Sequence, residues 1–593
     1  MRTSRVRVAL TLALAGVALP AIGQDRPESI LPPGFGEPAA PPARPAPRGG
    51  DTPVATGTPA AITPSTTIQP LPTPSPTPSP TPSATPTPDA ALLAQYEMPV
   101  SARRSLALVG AADARESGIA ADAFGSADGP YLERLMRRLD APLPSRWMSI
   151  LLRRTLAARL RTPDGVNGAD YAAERAWLLL RMGEAMSARA VVQGVDNANY
   201  TPKLYQVAMN AMLATSDPAG LCPLADAGAR ATGERGWTMA QAMCAALAGG
   251  TTRANALLKS ARRRGVASGV DLLLAQKVIG AAGGGGAVTI EWPGVDRLTI
   301  WRFGLASATG AAIPDDLYAG AGRQVTYWRA LSPAIPLAER AAVADATAGQ
   351  GVLSNLALVD LYGAIDAADD VPAPASAAAQ DLRMAYTGTT IGARLEAMRQ
   401  LWGTAPRTDY GRLVLTARAV ARVRPVSGNA DEARIVASLL TAGLDRTAVR
   451  WRGFVEEGGD AWAMLTLADP DSSERLSYGA LAGYSGSGDA ALKQRLLFAG
   501  LAGLGRLAPD DIERAAQALD VRIGAENAWT RALDRAAREN QPGTVALLAA
   551  IGMQAPAWRG VPPEMLYRIV GALRAVGLGG EARMIAAEAI ARA

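Results

Sequence analysis

The residues available for chemistry are few, and their types exclude more than they offer. The 593-residue chain contains no histidine and two cysteines. That removes imidazole bases, histidine metal ligands, Ser-His-Asp and Cys-His catalysis and every Cys/His zinc site. Carboxylate pairs stand at Asp315-Asp316, Asp369-Asp370 and Asp510-Asp511, but they lack the D-x-D-x-D-G order of a calcium loop and suit helix starts or loops instead. The glycines from Gly283 to Gly286 follow the helix-like L-L-L-A-Q-K-V-I with neither G-x-G-x-x-G nor Walker spacing, so no phosphate cradle is expected. The reading is of a chain with no cofactor, no metal and no catalytic constellation.

The basic residues are the next candidates. Of 60 Lys and Arg, only Lys203, Lys259, Lys277 and Lys493 are lysine, a bias that GC-rich codons produce. The densest stretch holds Arg134, Arg137, Arg138, Arg146, Arg153, Arg154, Arg159 and Arg161 beside only Glu133 and Asp140. Arginine forks pair bidentately with phosphate, so Arg134, Arg137, Arg138, Arg153 and Arg154 are the expected surface for an anionic glycan or lipid of a cell envelope. The formal charge of +6 is too small for a nucleic-acid binder, which carries a clustered stripe on a strongly basic domain.

Export is expected from the N-terminus. Arg2 to Arg7 is a basic segment, Val8 to Ala18 an uncharged apolar run, and Ala21 and Gly23 have the small-residue spacing of a signal peptidase site. Cleavage after Gly23 and a periplasmic, soluble product are expected, with no span of the length a bilayer needs. An oxidising compartment bears on Cys222 and Cys244. With a turn at T-G-E-R-G (232–236), an antiparallel hairpin brings the two to within roughly 3 Å of the same height, so a Cys222–Cys244 disulfide is expected. Redox catalysis would require a C-x-x-C spacing that is missing.

Residues 24–90 hold 20 of the 43 prolines, and such a tract cannot bury a core. A disordered, polyproline-II-like spacer is expected there. From Leu92 onward, apolar-periodic stretches of about 10 to 16 residues alternate with Gly, Pro, Asp and Asn, the mark of an all-α chain. Pro509-Asp510-Asp511 and Pro562-Pro563-Glu564 each open such a stretch. Gly183, Gly249, Gly428 and Gly577 are each followed five residues later by alanine, as a left-handed glycine ending one helix and an alanine seating the next would require. Helical hairpins follow. The glycine run places a lobe boundary near 281–295, giving helical lobes 91–282 and 283–593, with Val288 to Glu291 extended. Trp147, Trp177, Trp301, Trp328, Trp402 and Trp451 are expected as core anchors.

Trp177, Leu180 and Gly183 resemble the first-helix pattern of tetratricopeptide repeats. The blocks A-E-R-A-W-L-L-L-R-M-G-E-A and E-A-R-M-I-A-A-E-A-I-A-R-A are similar to exported, alanine-rich helical-repeat proteins of alpha-proteobacteria. That likeness implies an α-solenoid of degenerate hairpins and assigns no functional residue. Arg115-Glu116-Ser117-Gly118 resembles the E-S-G motif of lytic transglycosylases, which would make Glu116 a general acid/base. The family's G-L-M-Q-like and A-Y-N-A-G blocks are missing. The expected function is a non-catalytic interaction or scaffold protein of the envelope, with an enzyme that cleaves peptidoglycan as the alternative.

Overall fold

The computed structural model describes residues 99–284, 286–404 and 409–593. The signal segment 1–23, its Gly23 cleavage point and the proline-rich stretch 24–90 lie outside the described residues. Contacts divide the chain into two units; the described part of the one spanning Leu31–Arg103 is residues 99–103, with one tight turn at Val100–Ala102. The other unit carries the rest.

The described residues from 104 onward are mostly helical. There are 28 α-helices among the described residues, and the one sheet is a two-residue ladder in which Leu108–Val109 pairs antiparallel with Leu160–Arg161. The local signals act as their chemistry requires. Pro509–Ala518 and Pro563–Ala575 begin at proline with acids in the first turn, where the missing N–H costs nothing and the charge meets the positive end of the dipole. Gly183, Gly249, Gly428 and Gly577 all take positive φ, from +71° to +87°. Ala188, Ala254 and Ala582 behind three of them are fully buried, letting successive helices approach. Trp328, Trp402 and Trp451 are interior, as expected of anchors.

Most helices pack on their sequence neighbours, among them Gly168–Arg181 on Ala185–Gln193 and Pro563–Ala575 on Gly579–Arg592. A second class of contact was not expected from hairpins alone. Pro542–Gly552 and Gly579–Arg592, near the C-terminus, both pack on Arg146–Ala157, and Leu337–Gln350 touches that helix too. Stacked repeats that meet only their neighbours make no such return.

Gly283 takes φ +85° and ends the helical run there. Val288 to Glu291 forms no ladder among the described residues, and the Val288 carbonyl accepts from Lys277 Nζ at 3.2 Å. The segments on either side of this break interlock. Gln350 Nε2 donates to Leu143 O and Ser149 Oγ, both at 2.8 Å, and Ser332 Oγ to Ser216 Oγ at 2.9 Å.

Candidate functional site

Glu116 sits in a four-residue helix, Ala114–Ser117, and its carboxylate has a local task. Asp113 accepts from the backbone N–H of Arg115 and Glu116 at 2.8 and 3.0 Å, while Glu116 Oε2 accepts from Asp113 N at 3.1 Å. This is a reciprocal capping box. The residue is exposed, whereas a carboxyl kept protonated for acid catalysis is held in an apolar pocket. The spacing Asp113-x-x-Glu116 was the sequence signal for this role.

The five arginines chosen as an anion surface are divided between two helices and two environments. Arg134, Arg137 and Arg138 lie on the exposed side of Gly129–Arg138. Arg137 is engaged there: its Nε donates to the buried Glu174 at 2.9 Å and its Nη2 to Glu133 at 3.0 Å. Arg153 and Arg154, on Arg146–Ala157, are half-buried braces. Arg153 Nη1 meets Glu184 Oε1 at 3.0 Å and Gly351 O at 2.8 Å; Arg154 meets Glu581 Oε1 and Ser117 O, each at 2.6 Å. Three of the five are thus engaged in ion pairs within the helical unit.

The most developed polar assembly centres on Arg146, which the expected surface left out. Its guanidinium is fully buried and donates to the carbonyls of Thr441 (3.2 Å), Leu353 (3.2 Å) and Ala348. Those carbonyls lie at or just past the C-terminal ends of Glu432–Thr441 and Leu337–Gln350, where helix dipoles favour a cation. Burial pulls the Arg146 pKa down to about 10, which leaves it charged at neutral pH. At the same point the N-terminus of Arg146–Ala157 is closed by Glu588 of the last helix. Its carboxylate accepts from Ser145 Oγ at 2.6 Å, Arg146 N at 2.8 Å and Trp147 N at 3.1 Å. Arg592 Nη1 joins Glu588 (2.7 Å) to Pro144 O (2.8 Å) and its guanidinium stacks on Tyr410. One acid and one arginine thus satisfy the ends of three helices.

The same device recurs. Arg181 closes Gly129–Arg138 through Met136 O and Leu139 O (2.6 and 2.7 Å), Arg574 closes Ala490–Leu504 through Leu504 O (2.9 Å), and Arg506 closes Asp460–Ala468 through Thr466 O and Leu467 O (2.6 and 3.1 Å). Two of the four lysines, half-buried Lys203 and buried Lys493, are also paired. Lys203 pairs with Glu174 at 2.5 Å and Lys493 with Asp460 at 3.0 Å. Asp460 also takes Ser487 Oγ at 2.6 Å and the Tyr484 hydroxyl. Against burial, which would raise it, these partners hold its carboxyl below the ordinary range. Burial pushes Glu184 up to about 7 in spite of Arg153, and Asp345 up to about 6 in spite of Arg412 at 2.6 Å.

Cys222 and Cys244 are disulfide-bonded, with Cα atoms 5.3 Å apart. The bond ties the turn before Ala225–Thr232 to Arg235–Leu247. Gly233 turns at φ +66°, inside the expected hairpin loop.

The largest cavity described, about 510 Å³, is an open cleft lined by Ser427, Asn429, Glu432, Phe454 and Glu456. Another of about 330 Å³ is bordered by Asp381, Gln400, Trp402, Asp409 and Arg412. Neither holds a residue singled out from sequence as a site. Among the described residues there is no cluster of three or more metal-ligating side chains and no helix long and apolar enough to cross a membrane. Comparison with known proteins finds no matching family model, no matching curated protein and no matching solved structure.

Proposed function

We propose that the chain is an exported, periplasmic scaffold or interaction protein of the cell envelope, built from degenerate tetratricopeptide-like hairpins. The observation that carries this reading is the use made of its internal charges. Arg146, Arg153, Arg506, Glu174, Glu588 and Lys493 each end on a helix terminus or an opposing charge, so they fix helices to one another. A frame of that kind presents its outer residues at constant spacing, which is what a binding platform requires. The disulfide and the absence of an apolar spanning helix among the described residues are compatible with an exported product. The left-handed glycine at each of the four joints supports the hairpin repeat.

The test sets the two functional readings against each other. The full chain and Glu116→Gln are incubated with isolated peptidoglycan, and the full chain is cross-linked in envelope extracts. The expected result is no soluble muropeptide from either protein and a reproducible cross-linked partner. Fragment release by the wild type that disappears in Glu116→Gln would overturn the scaffold reading in favour of the enzyme.

A further inference from the structure

The strongest unspent charge lies on a helix outside the arginine-rich stretch. Between Glu234 and Asp271 the chain carries no acid at all, yet it carries Arg235, Arg253, Lys259, Arg262, Arg263 and Arg264. Five of these belong to Thr251–Arg263 and the residue that follows it. Ala254, Leu258 and Ala261 turn inward. Arg253, Lys259, Arg262, Arg263 and Arg264 occupy the remaining arc and are exposed.

No acid among the described residues neutralises them. None of the five has an ion pair or side-chain hydrogen bond among the described residues, in contrast to Arg137, Arg153 and Arg154. The two flanking acids are committed elsewhere: Glu234 accepts from Gln206 at 2.6 Å, and Asp271 binds Arg302 at 2.8 Å. The neighbour that packs most extensively on this helix, Arg235–Leu247, contributes no acid. It does contribute Leu247, 42% exposed at the end that feeds into Thr251. The disulfide at Cys244 anchors this supporting helix.

We infer that this helix edge docks on an anionic phospholipid bilayer. An exposed helix arc carrying five cations, with an apolar residue at one end, suits a broad anionic surface better than a peptide, which would need a groove. None of the cavities described above borders it, and it carries no aromatic residue on which a base would stack. Basic residues held at an anionic leaflet each strengthen binding about fivefold, over a range set by the Debye length. The inference rests on the interaction-protein reading and names one of its surfaces.

The test is co-sedimentation of the full chain with phosphatidylcholine vesicles, with and without phosphatidylglycerol, across a salt series. Binding is expected only to the anionic vesicles and to weaken steeply with salt. The triple replacement Lys259→Gln, Arg262→Gln, Arg263→Gln should reduce it on the order of a hundredfold, with an unchanged circular dichroism spectrum. Arg134→Gln with Arg138→Gln should leave it intact. Equal binding to neutral vesicles, loss only in the Arg134/Arg138 variant, or tighter binding to duplex DNA at the same salt would overturn the assignment. Failure here with a reproducible cross-linked partner would retire the ridge alone, and failure of both would retire the scaffold as well.

Discussion

Arg146 and Arg263 are the same residue type at opposite extremes of use. The first is enclosed, its guanidinium shared among the ends of two helices and its own backbone held by Glu588. The second stands on an exposed ridge with no partner among the described residues. Their sequence surroundings do not separate them, because each lies in an arginine-rich stretch. What separates them is the availability of acceptors: a run of arginines that meets carbonyls and carboxylates from distant helices becomes structure, and a run that meets none remains surface.

That contrast can be tested from its strong end. Arg146→Met, which keeps the apolar stem and removes the fork, should leave three helix-end carbonyls without their donor; with Glu588→Ala as companion, each is expected to cost about 3–5 kcal/mol in urea unfolding. The double variant should lose less than the sum, because the two act on one assembly. A loss below about 1 kcal/mol would place the interior arginines among the weak surface charges. Reduction of Cys222–Cys244 should cost about 3 kcal/mol, since the bond closes a loop of 22 residues, and melting with and without reductant measures it.

The pH dependence sharpens the same contrast. Glu184 is buried and raised from 4.5 to about 7. Between those values the folded state keeps a proton that the unfolded chain has released, so stability falls as pH rises through the window, by on the order of 3 kcal/mol. Asp345, raised from 3.8 to about 6, adds to the fall at the lower end. Glu184→Gln should flatten the slope between pH 4.5 and 7 in a series of urea midpoints; an unchanged slope would deny Glu184 this role. The smallest effect is expected at the ridge, where the Lys259, Arg262 and Arg263 replacements should leave the urea midpoint within error of the wild type.

Local features were the legible part of the sequence. Helix starts at Pro509 and Pro563, the four joint glycines and the cysteine pairing follow from short-range chemistry, and each is where that chemistry placed it. The fate of the arginines was not legible, because it depends on acceptors hundreds of residues away. Nothing near Arg146 in sequence announces Ala348, Thr441 or Glu588. Glu116 shows the opposite case: its partner, Asp113, is three residues off, so its capping role could be read from the local spacing. The ridge was visible as a stretch without acids, but arginine abundance elsewhere in the chain masked it.

The bond from Ser145 to Glu588 joins positions 443 residues apart in the chain. In an open array of hairpins, thermal fraying begins at a terminal unit, which has a neighbour on one side only, and proceeds inward unit by unit. Here Gly579–Arg592 is seated on Arg146–Ala157 as well as on its hairpin partner, so it is held on more than one side. Disassembly must first break a buried, multiply bonded clasp, and that step sets a barrier to unfolding separate from the equilibrium stability of any one hairpin. The seam between Gly579–Arg592 and Arg146–Ala157 is therefore expected to set how slowly the helical unit comes apart.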